Sequence, residues 1–385
     1  MTEKTNEEES IAPNVPENEP TTSAEIEDLY KESPVPFSIP PTHETPILQA
    51  QVSDEPISRG EGSSITVLID DNVNWPYAFG WVLVNNKWYM LDAKGCGQIP
   101  HSGSVTLEIW SENHAVRVVD GQNAILYPFI IRYNIPRPGS WSCPIKQQQW
   151  GFYVAAAALR PYLFLQRNVS NWGWKKIMAR LVYPDGLFPE SLCEPKSIVA
   201  EGVNKEFNEK PLIHIKDHGN WALIEKHVIE EYSHAVHFLE LTVTQRHEVT
   251  WKYIGWLVKE LLAGRDMRHY FDKRTDEMIA YLEGWDAYFT NKILPGDVQF
   301  QESTVINSFR SNQRNITAGD GVNWEVCIAA LLHQTEKKFG FSFVWERYAK
   351  SRAITYFDFK NAWQREVPSS YAWLVSEAPK WQLPA

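Results

Sequence analysis

The sequence predicts an α+β protein in three parts: a disordered acidic tail, a small all-β sandwich, and a mainly helical domain with a small sheet. Three observations carry this. Residues 1–60 combine Asp, Glu, Pro, Ser and Thr with few aromatic residues. Residues 61–135 fall into short runs of β-branched and aromatic residues separated by turn residues. From about residue 145 to 370 apolar residues recur at helical spacing, interrupted by two strand-like runs.

The tail cannot bury enough apolar surface to offset the entropy of ordering it. Residues 24–31 suit a short helix that could serve as a docking element, and residues 34–46 suit an extended chain. The tail also explains the charge. The whole chain carries −11, and residues 1–60 hold thirteen Asp or Glu against three Lys or Arg, a balance of −10. The other residues are left with −1. No basic patch suits a phosphate backbone, so nucleic acid is excluded as a partner.

The β region opens at residue 64. Residues 64–69, 78–84, 87–91 and 104–110 are strand-like, and Asn85-Asn86 makes a hairpin turn between two of them. Residues 115–119 and 124–133 continue the pattern up to a linker at Pro136-Arg137-Pro138-Gly139.

In the third part, residues 151–165 open with a helix, and residues 177–184 and 211–215 are strand-like. Residues 223–241 are amphipathic, with Ile224, Val228, Tyr232, Ala235 and Leu239 on one stripe. Residues 251–262 form a helix stopped by Gly264, residues 265–274 a charged connector, and residues 291–320 a polar loop. Residues 324–332 make a late packing helix, and residues 343–345 and 357–363 belong to closing helices.

The polar face of the 223–241 helix carries the chemistry. It reads Glu230-Glu231-Tyr232-Ser233-His234. Residues four apart on a helix share a face, so positions 230 and 234 can reach one metal ion. Position 231 is turned by ~100° and can face a metal-bound water. About fifty residues on, Glu283-Gly284-Trp285-Asp286-Ala287-Tyr288-Phe289 can supply a third ligand. Small neighbours at Ala280, Gly284 and Ala287 would let another helix approach there. Asp286 could orient a ligand, while Glu283 could equally sit in a structural ion pair. A solvated polar face explains the first stretch without any metal.

The other histidines are weaker candidates. His227 lies roughly 10.5 Å along the axis from His234 and cannot share its ion. His237 suits a polar rim, His214 a cleft wall or a solvated strand, and His333 an oxyanion donor. His247-Glu248 is not followed by the second histidine of another such motif.

The order of these segments resembles a gluzincin-type zinc metallopeptidase domain over roughly residues 145–365. Families of that class carry H-E-x-x-H and a downstream glutamate, often in an E-G-x-A-type segment. Here Glu230 replaces the first histidine, and Asp286 and Ala287 depart from the E-G-x-A pattern. The resemblance implies metal ligands Glu230, His234 and Glu283, with Glu231 as the catalytic base. The cofactor is then zinc or another divalent ion, unless the site has lost its metal. Two carboxylates and one imidazole shift selectivity towards harder ions and weaken the metal as a Lewis acid. Transthyretin-like or immunoglobulin-like sandwiches often precede such domains, a fold-level likeness only.

Three functions follow as expectations. The first is a degenerate metallopeptidase-like protein, a pseudopeptidase whose cleft or sandwich binds a peptide or protein partner. The second is an active metal-dependent peptidase with Glu231 activating water. The third is an interaction protein without a metal site. Cys96, Cys143, Cys193 and Cys327 are widely spaced and suggest no disulfide framework. No secretory leader and no membrane span are visible, so a cytoplasmic or otherwise intracellular setting is expected. The tryptophans, 17 in all, suit core packing.

Overall fold

The computed structural model describes residues 51–52, 62–69, 75–120, 128–146, 149–170, 172, 176–182, 191–194, 210–216, 219–263, 271, 273–296 and 301–385. The expectations for residues 1–50, including the 24–31 helix, lie outside these, as does the Gly264 stop. Among the described residues a β-rich region precedes a mainly helical part, an α+β arrangement. No described helix is long and apolar enough to cross a membrane.

The β-rich region runs through β1 (Gln51–Val52), β2 (Ser63–Thr66), β3 (Leu68–Ile69), β4 (Trp75–Pro76), β5 (Trp81–Val84), β6 (Lys87–Met90), β7 (Cys96–Ile99), β8 (Val105–Trp110), β9 (Val116–Asp120), β10 (Ile130–Ile135) and β11 (Gly139–Ser142). One sheet has the order β1-β6-β5-β8-β10 and another β11-β2-β7. The β5–β6 hairpin follows from its turn: Asn85 and Asn86 both have positive φ, 48° and 60°. That conformation matches the twist of the flanking strands and favours Asn. Along β8 the alternation of Val105, Leu107 and Ile109 with polar residues puts one face in the core.

Two features depart from the expected layout. Gly139, expected in a linker, starts β11, which pairs in parallel with β2. β9, expected in the sandwich, pairs instead with β12 (Ile177–Val182) of the next part. Val116, Arg117, Val118 and Val119 are all buried. A strand covered on both faces belongs in a parallel sheet, where apolar runs are near-continuous rather than alternating.

That sheet has the order β13-β14-β12-β9, with β13 (Leu192–Glu194) and β14 (Leu212–Lys216). The parallel step from β9 to β12 is bridged by α1 (Trp150–Asn168), as a parallel pair requires. The remaining helices are α2 (Trp221–Glu240), α3 (Val243–Leu262), α4 (Glu277–Ile293), α5 (Glu302–Asn312), α6 (Glu325–Phe339), α7 (Phe341–Tyr348), α8 (Tyr356–Glu366) and α9 (Pro368–Glu377). α5 lies inside the stretch expected as a polar loop, anchored by buried Val305 and Phe309 one turn apart. α9, beyond the expected closing helices, starts with Pro368 in its first turn, where the missing N–H costs nothing.

One contiguous apolar core joins the β-rich region to the helices. Trp75 meets Trp221 of α2 at 4.4 Å between ring centroids, and Tyr77 meets Phe152 of α1 at 5.5 Å. The turn between β8 and β9 is the polar part of this junction. Asn113 donates to the Ala155 carbonyl of α1 and accepts from the amides of Ala115 and Val116. Glu112 accepts from Arg117 at 2.7 and 3.0 Å and from Lys176, just before β12, at 2.6 Å.

Candidate metal centre

Two helices from distant sequence make the site. Asn220 caps α2, its side chain accepting from the Leu223 amide, and Asp276 caps α4 by accepting from the Met278 amide. Both are favoured N-cap residues because they satisfy otherwise orphaned helix donors. The apolar stripe through Ile224, Val228, Tyr232 and Ala235 is buried and fixes the rotation of α2. α4 is buried over most of its circumference, and Trp285 donates from Nε1 to the Ser233 carbonyl of α2 at 3.0 Å.

Gly284 sets how closely α4 can pack. A Cβ there would lie 2.6 Å from Ile328 Cβ and 2.9 Å from the Glu325 carbonyl oxygen, both on α6. The carbonyl cannot swing aside as a flexible side chain could. Gly284→Ala should therefore lower stability by roughly 1–3 kcal/mol through overpacking. Chemical denaturation of wild type and variant measures this; an unchanged midpoint would show that α4 and α6 can separate at no cost.

His234, Glu283 and Asp286 each offer one ligand atom, and these atoms lie within 4.8 Å of one another. His234 Nε2 is 3.3 Å from Glu283 Oε2. Asp286 Oδ1 accepts from Ser233 Oγ at 2.6 Å and from Thr290 Oγ1 at 3.1 Å. Two hydroxyls thus fix its carboxylate.

Of the expected ligands, the structure brings His234 and Glu283 together and places Glu230 outside this group. Glu230 instead lies 3.2 Å from His227 Nδ1 and 3.8 Å from Lys226 Nζ. Helix geometry explains the split. Positions 230 and 231 flank His234 by ~40° and ~60° on opposite sides. The buried stripe turns the Glu231 side inward and leaves Glu230 at the rim. Asp286 completes the set. Its signal in the sequence was its spacing of three from Glu283, which puts both carboxylates on one helix face.

The electrostatics are those of crowded acids. Glu231 is only 9% exposed. Burial pushes its carboxyl well above the usual range; His234 opposes this, and Glu283, Asp286 and Glu230 add to it. Burial likewise raises Asp286, against the pull of His234 and with the push of Glu230 and Glu283, to about 7. For His234, burial works downward, but Glu283, Asp286 and Glu231 outweigh it and hold the imidazole up to about 10. Several carboxyl groups share one imidazole, so their charge calls for protons or a cation.

These residues fit a divalent ion. One imidazole and two carboxylates are ordinary ligands for such an ion. His234 Nδ1 is buried and makes no hydrogen bond among the described residues. The hydroxyls of Ser233 and Thr290 supply the outer support that metal-binding carboxylates need.

The remaining histidines do other things. His237 bonds the Ala353 carbonyl through Nε2 at 2.8 Å, and burial lowers its pKa to about 3. It is a neutral latch to the chain after α7. His333 packs edge-on against Tyr288 at 5.1 Å, and burial lowers it to about 4. His214 is buried on β14, opposite Arg180 and Leu192. No family model, curated protein or solved structure matches this chain.

Proposed function

We propose that this chain is a degenerate, metallopeptidase-like protein of gluzincin kind. Its helical part would hold a divalent cation on His234, Glu283 and Asp286, and its role would be to bind a peptide or protein partner rather than cleave it. The convergence of α2 and α4 on one buried donor set supports this. So does the placement of Glu230, which occupies the first-ligand position of the motif yet faces His227 and Lys226.

The donor charge decides between binding and cleavage. Two carboxylates and a neutral imidazole cancel the charge of a dication, and Glu231 adds a further acid beside it. A cation held this way withdraws little electron density from water, whereas hydrolytic zinc sites lower the pKa of bound water to about 7. The cation would supply structural charge balance, while the protein's residues hold its position.

Titrating the full chain with zinc or manganese, alongside assays on casein and fluorogenic peptides, tests this. Cation binding without cleavage above the His234→Ala background is the expected outcome. Metal-dependent cleavage that disappears in Glu231→Gln would establish an active peptidase instead. Because His234 holds its proton up to about pH 10 and a metal-bound imidazole must be neutral, binding should tighten as pH rises from 7 to 9.

A further inference from the structure

Glu231 is a buried acid without a partner. It is 9% exposed, yet among the described residues its carboxylate makes no hydrogen bond and no ion pair. Other acids of similar burial are engaged. Glu112 has Arg117 and Lys176, Glu225 has Arg160, and Asp286 has the hydroxyls of Ser233 and Thr290. A carboxylate buried with nothing to satisfy it is costly, so such a group calls for a bound ion or ligand.

Its position says which. Glu231 stands three residues before His234, as Glu283 stands three before Asp286. Residues three apart on a helix are neighbours, with roughly 5–6 Å between Cβ atoms. Each of α2 and α4 therefore carries such a pair, and the pairs meet where His234 Nε2 lies 3.3 Å from Glu283 Oε2. Glu231 is close enough to feel them: His234 attracts its carboxylate, while Glu283 and Asp286 repel it. Lys226 and His227, the basic residues just before it on α2, face Glu230 instead. Repulsion between like charges keeps Glu231 outside the 4.8 Å set of His234, Glu283 and Asp286. A cation held by that set reverses the force on it.

We infer that Glu231 is the fourth ligand of the cation centre, closing it against water rather than activating water there. The inference rests on the reading of His234, Glu283 and Asp286 as cation ligands. Three donors leave one position of a four-coordinate ion open, as in catalytic zinc sites, whereas structural sites fill all four with side chains. Asp286 is poorly placed to fill it with its second oxygen, because Oδ1 already accepts from two hydroxyls. Glu231 is the unpaired acid on the inward side of α2. Its ligation leaves no position for the water that a peptidase needs, which accounts for binding without cleavage. Three carboxylates and one imidazole also suit ions that prefer oxygen, manganese among them.

Calorimetry with manganese and water-proton relaxation of the manganese-loaded full chain test this together, on wild type, Glu231→Gln and Glu231→Ala. Manganese is the probe because it relaxes the protons of each water bound to it. Glu231→Gln keeps the side chain's shape and removes an unpaired buried acid, so without metal it should unfold in urea no earlier than wild type. Both variants should bind manganese at least about tenfold more weakly. Relaxation per bound ion should rise in Glu231→Ala, where water takes the position that the carboxylate leaves. Equal affinity and equal relaxation in all three proteins would overturn the inference and leave the three-residue centre standing. Weaker binding with unchanged relaxation in Glu231→Ala would also overturn it, by making Glu231 a distant charge only. Wild type that binds no manganese would overturn the cation centre itself, and this inference with it.

Discussion

Glu230→Ala or Glu230→Gln should leave cation binding nearly unchanged, but Glu230→His should raise zinc affinity by about tenfold or more. Glu230 stands one helical turn before His234, at the edge of the donor set, with its carboxylate drawn to His227 and Lys226. Histidine at 230 adds a ligand that suits zinc and removes a negative charge from a site already rich in acids. It also ends the ion pair that holds side chain 230 at the rim. The control is Glu230→His with His234→Ala, which should lose the gain. Calorimetric titration of the proteins reads the result. Equal zinc affinity in wild type, Glu230→His and the double variant would show that 230 and 234 never act on one ion.

The largest loss of stability is expected from Glu112→Ala. Glu112 and Arg117 are fully buried and joined by two hydrogen bonds, and Lys176 adds a third. Removing the carboxylate takes away two hydrogen bonds and a counter-charge from the buried Arg117 guanidinium, and one from the Lys176 ammonium, at the junction of the β-rich region and the helices. Breaking a buried pair in this way costs on the order of 3–5 kcal/mol. Glu112→Leu with Arg117→Leu should cost less, because the fully buried guanidinium goes with the carboxylate and only the Lys176 ammonium, near the surface, loses its counter-charge. The same group gives an acid limit. Burial alone would raise the Glu112 carboxyl, but Arg117 and Lys176 hold it down to about 2. Its folded value thus lies below its unfolded value near 4.5. The stability it contributes is present above pH 4.5 and is lost as pH falls towards 2. Urea denaturation between pH 2 and 7 should show that slope in wild type and a shallower one in Glu112→Gln. Identical slopes would assign acid sensitivity to other carboxylates.

Much of the architecture was legible because local pattern and tertiary role agree. Asn85-Asn86 specifies its hairpin through φ alone, and the α1, α2 and α6 segments carry long apolar periodicity. β9 pairs outside the sandwich expected for it, because an apolar run does not say which sheet covers it. α5 has a loop-like sequence because only Val305 and Phe309 mark its buried side among polar residues. At the site, spacing indicated His234 and Glu283. It could not indicate that Glu230 turns to the rim, since that depends on the rotation of α2 against α4. Asp286 was visible as a neighbour of Glu283, yet its place in the donor set depends on Ser233 and Thr290, which fix its carboxylate.

His234, Glu283 and Asp286 are proposed to hold one divalent cation. The most direct measurement is calorimetric titration of the full chain with zinc and manganese at pH 8, repeated on His234→Ala, Glu283→Gln and Asp286→Asn. One ion per wild-type chain is expected, with affinity at least about tenfold weaker in each variant, the scale on which losing a ligand or its support acts. Each variant should keep the circular dichroism of the wild type. Wild-type protein that binds no cation, or variants that bind as tightly as wild type, would contradict the claim.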